Sequence, residues 1–157
     1  MSLATDLLAT ARAAGATVTC AESCTGGMVA AAITDVAGSS AIFERGFVTY
    51  SNAAKQDMLG VSPKTLTTFG AVSEQVAIEM AEGARAAADA SAAVSISGIA
   101  GPGGSEFKPE GRVCFAVADA HGTTAQTVEF GALGRENVRA AARDHALGLL
   151  LHTLRNN

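Results

Sequence analysis

The sequence predicts an α/β fold: a three-layer sandwich whose mixed, mostly parallel sheet includes an antiparallel strand pair and carries helices on both faces. Two patterns predict it. Short apolar runs of strand composition alternate with alanine-rich amphipathic segments, and two alternating runs late in the chain are joined by a short turn. Hydrophobic residues make up 48% of the 157 residues and charged residues 17%, which suits one compact core. We therefore expect a single domain over residues 1–157.

The first third of the chain alternates helical and extended patterns. Leucine and alanine recur at helical spacing before Gly15, where the first helix should end. Residues 16–21 follow as a short buried strand, and residues 26–34 as a helix packed on most sides. Residues 35–40 are expected to form a loop, and residues 43–50 have the β-branched and aromatic composition of a strand.

The middle of the chain is helical. Residues 53–59 and 63–70 predict two short helices, each closed by a glycine. Ser73 is a suitable N-cap for a longer helix over residues 74–88, whose alanines and methionine repeat at helical spacing. That helix should face the core.

The last third supplies the remaining strands. Residues 92–97 predict a buried strand, which leads into the glycine-rich stretch Gly98 to Ser105. Residues 112–118 and 123–130 alternate like an antiparallel pair. The chain then ends in a helix marked by leucines at helical spacing up to Leu154.

Polar or glycine-rich clusters follow three predicted strand ends, at Ala21, Tyr50 and Ser97. In open α/β sheets, ligands bind in the crevice beyond the carboxyl ends of the strands. A single site built from these three loops is therefore expected.

Ser23 stands where the first strand stops and a glycine pair opens a helix. A hydroxyl at such a joint stands clear of both elements, and the first amides of the helix have no intrahelical partner. The residues alone leave three roles open for Ser23: it is a nucleophile, it binds a phosphate, or it caps the helix. Gly26 and Gly27 favour chemistry, because their backbone N–H groups are free to approach an oxyanion closely.

Three neighbours of Ser23 have their own interpretations. Cys24 is a rival nucleophile, although it points elsewhere if Ser23 faces the site. Glu22 is placed to orient a partner or to accept a proton. Thr25 is the expected cap of the following helix.

Lys55 follows the polar strand end that contains Tyr50. A lysine desolvated by apolar surroundings loses affinity for its proton and can serve as a general base, whereas the alternative is an ordinary solvated helix lysine. Tyr50, the only tyrosine, is a candidate to relay that proton or to hold the substrate. Ser51 stands four residues before Lys55 and competes for the role of nucleophile.

Two further features favour a ligand. The stretch Gly98 to Ser105 is interpreted as a wall of the pocket, with a surface turn as the alternative. Arg135 opens the final helix, where it either reaches a phosphate with two N–H groups or stays at the surface. His145 and His152, one heptad apart, are interpreted as surface or interface residues.

Composition and missing motifs exclude several function classes. The formal net charge is −4 and no Lys/Arg run occurs, which argues against nucleic-acid binding. No membrane span or signal peptide is predicted, so a cytoplasmic location with free thiols for the three cysteines is expected. Standard phosphate-loop, dinucleotide, nucleophile-elbow and zinc-helix motifs are missing, and we expect no metal and no cofactor.

Taken together, ordered motifs over nearly the whole chain resemble the CinA C-terminal domain family, the nicotinamide mononucleotide deamidases also called PncC. The matching stretches are Ala21–Gly27, Gly38–Ser40, Val48–Asn52 with Lys55, Leu59–Val61, Gly70–Ser73, Gly98–Gly104, Pro109, Gly111 and Gly134–Arg135. Two mild departures are Ser97, where the family often has threonine, and Phe47 after Gly46, where valine is more common.

The resemblance implies an α/β sandwich that hydrolyses the carboxamide of nicotinamide mononucleotide to nicotinate mononucleotide and ammonia, in pyridine nucleotide salvage. It implies Ser23 as nucleophile, Lys55 as its base and Tyr50 nearby in the catalytic group. The residues expected to bind the substrate are Glu22, Thr25, Gly26, Gly27, Ser39, Asn52, Gly98, Gly101, Gly103 and Arg135. The stand-alone form is expected, without the N-terminal domain that many members carry.

The rival interpretation is a non-catalytic nucleotide-binding or regulatory module, because the same glycine-rich loops need only bind a phosphate. The expected partner is a small-molecule nucleotide in either case. Alanine-rich helices leave apolar faces that a homodimer would bury, so a homo-oligomer is expected.

Overall fold

The computed structural model describes residues 2–105 and 107–157, which form one five-stranded sheet with helices on both faces. The strands are β1 (Val18–Glu22), β2 (Phe47–Val48), β3 (Ala92–Gly98), β4 (Arg112–Asp119) and β5 (Gly122–Glu129). The helices are α1 (Leu3–Ala14), α2 (Met28–Thr34), α3 (Asn52–Leu59), α4 (Pro63–Phe69), α5 (Glu74–Ala88) and α6 (Arg135–Arg155). No helix in the described part of the chain is both long and apolar enough to span a membrane.

The sheet is mixed and has the strand order β2-β1-β3-β4-β5. Strand β1 lies parallel to both β2 and β3, whereas β4 runs antiparallel to β3 and to β5. The hairpin pairs residues in register from Arg112 with Glu129 to Asp119 with Gly122. The predicted fold class, with its antiparallel strand pair, is therefore confirmed.

Each face of the sheet is covered by its own helices. Helices α1, α2 and α6 bury the larger apolar cluster, which includes Leu7, Ile33 and Leu150. Helix α5 packs on the other face and supports α3 and α4. Gly83 on α5 has no room for a Cβ atom because the Leu59 carbonyl of α3 lies against it. The end of α3 therefore packs directly against the backbone of α5.

Most predicted boundaries hold because the local signals agree with the packing. Helix α1 ends at Gly15 in a left-handed conformation, and the Ser73 hydroxyl accepts a hydrogen bond from the Val76 amide at the start of α5. Helix α2 begins at Met28 rather than Gly26, since Gly26 and Gly27 both have positive φ. The stretch expected to be a loop ends in a 3₁₀ turn over Ser39–Ala41.

The strand predicted over residues 43–50 is wrong in extent. Only Phe47–Val48 pairs as a strand, with an isolated bridge between Phe43 and Val18. Between them, the Thr19 hydroxyl donates to the Arg45 carbonyl at 2.7 Å, so a side chain takes the place of a ladder hydrogen bond.

Candidate active site

A cavity of about 390 Å³ opens beyond the carboxyl ends of β1 and β3 and beside the start of α3. The three loops after Ala21, Tyr50 and Ser97 all contribute to the wall of this one cavity. Its walls are formed by Ser23, Cys24, Tyr50, Asn52, Lys55, Ala71, Val72, residues 97–105 and Arg135.

Ser23 follows β1 directly and begins a tight turn. Its amide donates to the Ile96 carbonyl of β3 at 2.9 Å, and its own carbonyl accepts from the Gly26 amide at 3.0 Å. We call residues 23–27 the Ser23 loop. Because both backbone groups of Ser23 are held, its hydroxyl is delivered to the cavity wall in a fixed place.

Lys55 reaches the same point from helix α3. The Ser51 hydroxyl caps this helix by accepting from the Ala54 amide, so α3 starts just before the lysine. The Lys55 side chain is only 1% exposed, and its Nζ atom lies 3.0 Å from the Oγ atom of Ser23. Two carbonyl oxygens, of Thr49 at 3.0 Å and of Tyr50 at 3.2 Å, complete its polar contacts.

Burial controls the charge of this lysine. Desolvation lowers the pKa of Lys55 from its ordinary value, because the low-polarity surroundings disfavour the ammonium form. No Asp or Glu among the described residues forms an ion pair with it. A buried amine without a carboxylate partner, touching a serine hydroxyl, is an arrangement that suits general base catalysis.

The Glu22 carboxylate caps helix α2. It is fully buried and accepts hydrogen bonds from the amides of Gly27 at 3.2 Å, Val29 at 3.0 Å and Ala30 at 3.0 Å. Thr25 does not cap the helix as expected, since its buried hydroxyl has no hydrogen-bond partner in the described structure. A carboxylate reaching from the end of β1 satisfies three free amides, which a threonine hydroxyl cannot do.

The amides of Gly26 and Gly27 are already engaged, by the Ser23 carbonyl and by Glu22. The expectation that both would stabilise an oxyanion is therefore wrong. The amides of Cys24 and Thr25 make no hydrogen bond to any described residue. These two amides are the donors of the Ser23 loop that have no acceptor among the described residues.

Tyr50 and Arg135 meet at the mouth of the cavity. The Tyr50 ring is exposed, and its phenol oxygen accepts from Nη2 of Arg135 at 2.8 Å. Nη1 of Arg135 donates to the Gly101 carbonyl at 2.7 Å. The phenol of Tyr50 does not contact Lys55 or Ser23; only its backbone carbonyl does.

The structure brings together Ser23, Lys55, Tyr50, Asn52, Gly98, Gly101, Gly103 and Arg135, all of which line the cavity. It does not place Glu22, Thr25, Gly26, Gly27 or Ser39 on the cavity wall. Ser39 is buried in the 3₁₀ turn, where its carbonyl accepts from the amides of Ile42 and Phe43.

The rival nucleophiles are less well placed. Burial raises the pKa of the Cys24 thiol to about 11, so this thiol stays protonated at neutral pH. The Ser51 hydroxyl is used as the cap of α3. Ser23 is the hydroxyl that Lys55 contacts.

Sequence reasoning missed Arg139, whose guanidinium donates to the carbonyls of Cys24 and Thr25. Its spacing from Arg135, one helical turn, was the available signal. It also missed Ser97 as part of the wall, where the hydroxyl donates to the Ala71 carbonyl at 2.8 Å. In the described ranges, no cluster of three or more His, Cys, Asp or Glu side chains is placed to hold a metal ion.

Fold and site together define an α/β protein with a buried serine–lysine pair that opens on one cavity. The family model described as the CinA C-terminal domain matches residues 1–154, and the chain belongs to this family.

Named relatives and a solved structure agree with this assignment. The chain is 61% identical over 140 residues to the nicotinamide-nucleotide amidohydrolase PncC of Escherichia coli K12, covering 88% of this chain and 85% of the relative. It is 53% identical over 156 residues to the Enterobacter agglomerans protein of the same name, covering 99% and 95%. The crystal structure of the competence/damage inducible protein CihA from Agrobacterium tumefaciens superposes with a TM-score of 0.93 at 48% identity, covering 98% of this chain and 93% of that one.

Proposed function

We propose that this chain hydrolyses the carboxamide of nicotinamide mononucleotide, giving nicotinate mononucleotide and ammonia, with Ser23 as nucleophile and Lys55 as base. Identity of 61% to a nicotinamide-nucleotide amidohydrolase makes the chain an amidohydrolase. The substrate and the mechanism are the proposal. The observation that carries the mechanism is the 3.0 Å contact between Nζ of Lys55 and Oγ of Ser23 on the wall of the cavity.

In the first half of the reaction, Ser23 attacks the amide carbon. Oγ forms a bond to that carbon while its proton passes to the neutral Nζ of Lys55, and the carbonyl electrons move to oxygen. Lys55, now an ammonium group, returns the proton to the amide nitrogen as the C–N bond breaks. Ammonia leaves and an ester joins the acyl group to Ser23.

In the second half, water takes the place of the ammonia. Lys55 accepts a proton from the water, the water oxygen attacks the ester, and Ser23 leaves with its proton restored. The carboxylate product keeps the rest of the nucleotide. Both halves pass through an oxyanion, for which the Cys24 amide is a candidate donor, because Cys24 lines the cavity and its amide has no acceptor among the described residues.

The cavity suits an anionic substrate. Among the described residues, the side chains that line it include the Arg135 guanidinium and no Asp or Glu, although the whole chain carries a formal charge of −4. Two N–H groups of Arg135 are used by Gly101 and Tyr50, and a guanidinium has five. We place the 5′-phosphate of the nucleotide on the remaining donors of Arg135, with the Tyr50 ring beside it.

The test is ammonia release from nicotinamide mononucleotide by the wild type and by Ser23→Ala and Lys55→Ala. The wild type should release ammonia and both variants should lose nearly all activity. Full activity in Ser23→Ala would overturn the covalent mechanism. Tight binding of the mononucleotide by the wild type with no turnover would instead favour the binding-module alternative.

Other expectations from the sequence stay predictions. They are a single domain over residues 1–157, a role in pyridine nucleotide salvage, a cytoplasmic location and a homodimer. Light scattering on the purified protein would decide the oligomeric state.

A further inference from the structure

The glycine-rich wall of the cavity holds Arg135 at the mouth. Nη1 of Arg135 donates to the Gly101 carbonyl at 2.7 Å, and Nη2 donates to the Tyr50 phenol at 2.8 Å. Glycine loses more backbone freedom on folding than any other residue, so a wall with glycines at positions 101, 103 and 104 is costly to keep in one conformation. Such a wall restrains Arg135 only if another group fixes the wall itself.

The Glu110 side chain contacts this wall without lining the cavity. Its Oε1 atom accepts a hydrogen bond from the Gly103 amide. The same carboxylate lies against the backbone of Gly101, where it leaves no room for a Cβ atom. One side chain therefore contacts both ends of the segment from Gly101 to Gly103, which we call the glycine wall.

Glu110 is itself held in place by its neighbours. Pro109 before it has a fixed φ, and the Gly111 amide after it donates to the Ile99 carbonyl at 2.7 Å. The Gly111 carbonyl accepts from the Phe130 amide at 2.9 Å. The backbone beside Glu110 is therefore tied to the residues that follow β3 and β5, and the carboxylate reaches the glycine wall from a fixed place.

We propose that Glu110 is a positioning residue: it fixes the glycine wall, and through the Gly101 carbonyl it holds Arg135 where the phosphate of the substrate binds. The inference deepens the proposed function and rests on Arg135 as the phosphate-binding residue. An arginine side chain has many rotamers, and restraining it before the ligand arrives lowers the entropy that binding costs. A wall that shifts therefore weakens binding of the phosphate and leaves the chemistry at Ser23 unchanged.

The first test compares Glu110→Ala and Glu110→Gln with the wild type by steady-state kinetics. Glu110→Ala removes the acceptor of the Gly103 amide, so KM for nicotinamide mononucleotide should rise about 3- to 10-fold while kcat changes little. Glu110→Gln keeps a carbonyl oxygen for this amide and should restore most of the affinity, because no Lys or Arg of the described chain forms an ion pair with Glu110. KM for nicotinamide riboside, which lacks the phosphate, should be the same in all three proteins.

A matched control is Asp119→Asn. The Asp119 carboxylate also accepts from a backbone amide, that of His121 at 2.8 Å, but it lies at the far end of β4 and does not line the cavity. Its KM should equal that of the wild type. Glu110 is only half-buried, so both of its variants should fold. Equal rises in KM for the mononucleotide and the riboside in Glu110→Ala would show a general loss of cavity shape and would overturn the inference.

A double variant tests whether Glu110 acts through Arg135. Once the guanidinium is removed, a fixed wall no longer serves the phosphate, so Glu110→Ala combined with Arg135→Met should have the same KM as Arg135→Met alone. Effects on KM that multiply would mean that the two residues act independently, and that result would overturn the inference.

The second test needs no turnover. Ribose 5-phosphate carries a phosphate ester but no carboxamide, and calorimetry measures its affinity for each protein. The dissociation constant should be about 3- to 10-fold higher for Glu110→Ala than for the wild type, and close to the wild-type value for Glu110→Gln.

The two tests separate the two proposals. If the wild type releases no ammonia from nicotinamide mononucleotide but ribose 5-phosphate binding shows this pattern, the proposed substrate fails and the inference about Glu110 stands. Equal dissociation constants for Glu110→Ala and the wild type would overturn the inference. A wild type that does not bind ribose 5-phosphate would also overturn it, because Arg135 would then hold no phosphate.

Discussion

The Nζ atom of Lys55 lies 3.0 Å from the Oγ atom of Ser23, and its other two polar neighbours are the carbonyl oxygens of Thr49 and Tyr50. A neutral amine has two N–H groups and one lone pair. In the structure Nζ donates to the Ser23 hydroxyl oxygen as well as to both carbonyls. Once Lys55 is neutral, its two N–H groups stay on the carbonyls and its lone pair is left to take the Ser23 hydroxyl proton. The second acceptor near that hydroxyl is the Tyr50 carbonyl at 3.4 Å, a longer contact.

Replacing Lys55 with methionine removes the base but keeps a side chain of similar length. We expect Lys55→Met to lower kcat about 100- to 10,000-fold, the usual contribution of general acid–base catalysis. Ammonia release measures it. Lys64→Met is the control because Lys64 is exposed on α4, and its rate should equal that of the wild type. A Lys55→Met enzyme with more than half the wild-type rate would contradict the assignment.

The pH profile follows from the direction of the Lys55 pKa shift. Burial lowers this pKa from its ordinary value of 10.5, and the reaction needs the neutral amine. The rate kcat/KM should therefore rise with pH through the lowered pKa and level off before pH 10.5 is reached. A rate that falls as pH rises through the neutral range would show that a protonated Lys55 is the active form.

The same shift links stability to pH. On unfolding, Lys55 regains its ordinary pKa, so between the lowered pKa and 10.5 the unfolded chain binds more protons than the folded chain. The free energy of unfolding contributed by this group should rise with pH across that window. Urea unfolding at several pH values should show this rise in the wild type and a weaker rise in Lys55→Met. Parallel curves for the two proteins would contradict it.

The site was only partly predictable, because some of its features depend on neighbouring residues in the sequence and others on residues far apart in the sequence. The Ser73 cap and the glycine-ended helices depend on neighbouring residues, and these were predicted correctly. The contact between Ser23 and Lys55 joins residues 32 positions apart, and only the sheet order and the packing of α3 on α5 create it.

The cap of helix α2 was predicted wrongly for the same reason. Propensity favours Thr25 as the cap, since threonine is common at that position. The fold supplies Glu22 instead, because β1 ends with this carboxylate facing the first amides of α2. A rule based on the residues next to the helix start cannot predict an acceptor that the preceding strand supplies.

Arg135 should govern the choice between nucleotide and nucleoside. Arg135→Met removes the cation that we place on the 5′-phosphate, so KM for the mononucleotide should rise about 10- to 100-fold, as for loss of one or two charge-assisted hydrogen bonds. Activity on nicotinamide riboside, which lacks the phosphate, should change little. The ratio of the two kcat/KM values is the measurement. Equal losses on both substrates would assign Arg135 to support of the Gly101 wall instead.

Ser51 and Cys24 should prove dispensable for chemistry. Ser51→Ala removes the cap of α3 and should cost about 1 kcal/mol of stability while kcat stays near the wild-type value.

Cys24 should resist alkylation at neutral pH because burial raises its pKa to about 11. Iodoacetamide followed by mass analysis and an activity assay checks this. Rapid alkylation of Cys24 at neutral pH would contradict the raised pKa.

Glu22→Gln tests whether the start of α2 depends on a carboxylate. The amides of Gly27, Val29 and Ala30 all donate to the two oxygens of Glu22, and glutamine replaces one of those acceptors with an NH₂ donor. At least one buried amide then loses its acceptor and faces a donor, so we expect a loss of about 2–4 kcal/mol in urea unfolding. Glu79→Gln is the matched control: Glu79 accepts from the Ser62 amide and the Thr65 hydroxyl at the less buried start of α4, and its loss should be smaller. If Glu22→Gln were as stable as the wild type, the cap would not hold the helix. Because α2 follows the Ser23 loop directly, the rate and the stability should fall together in this variant.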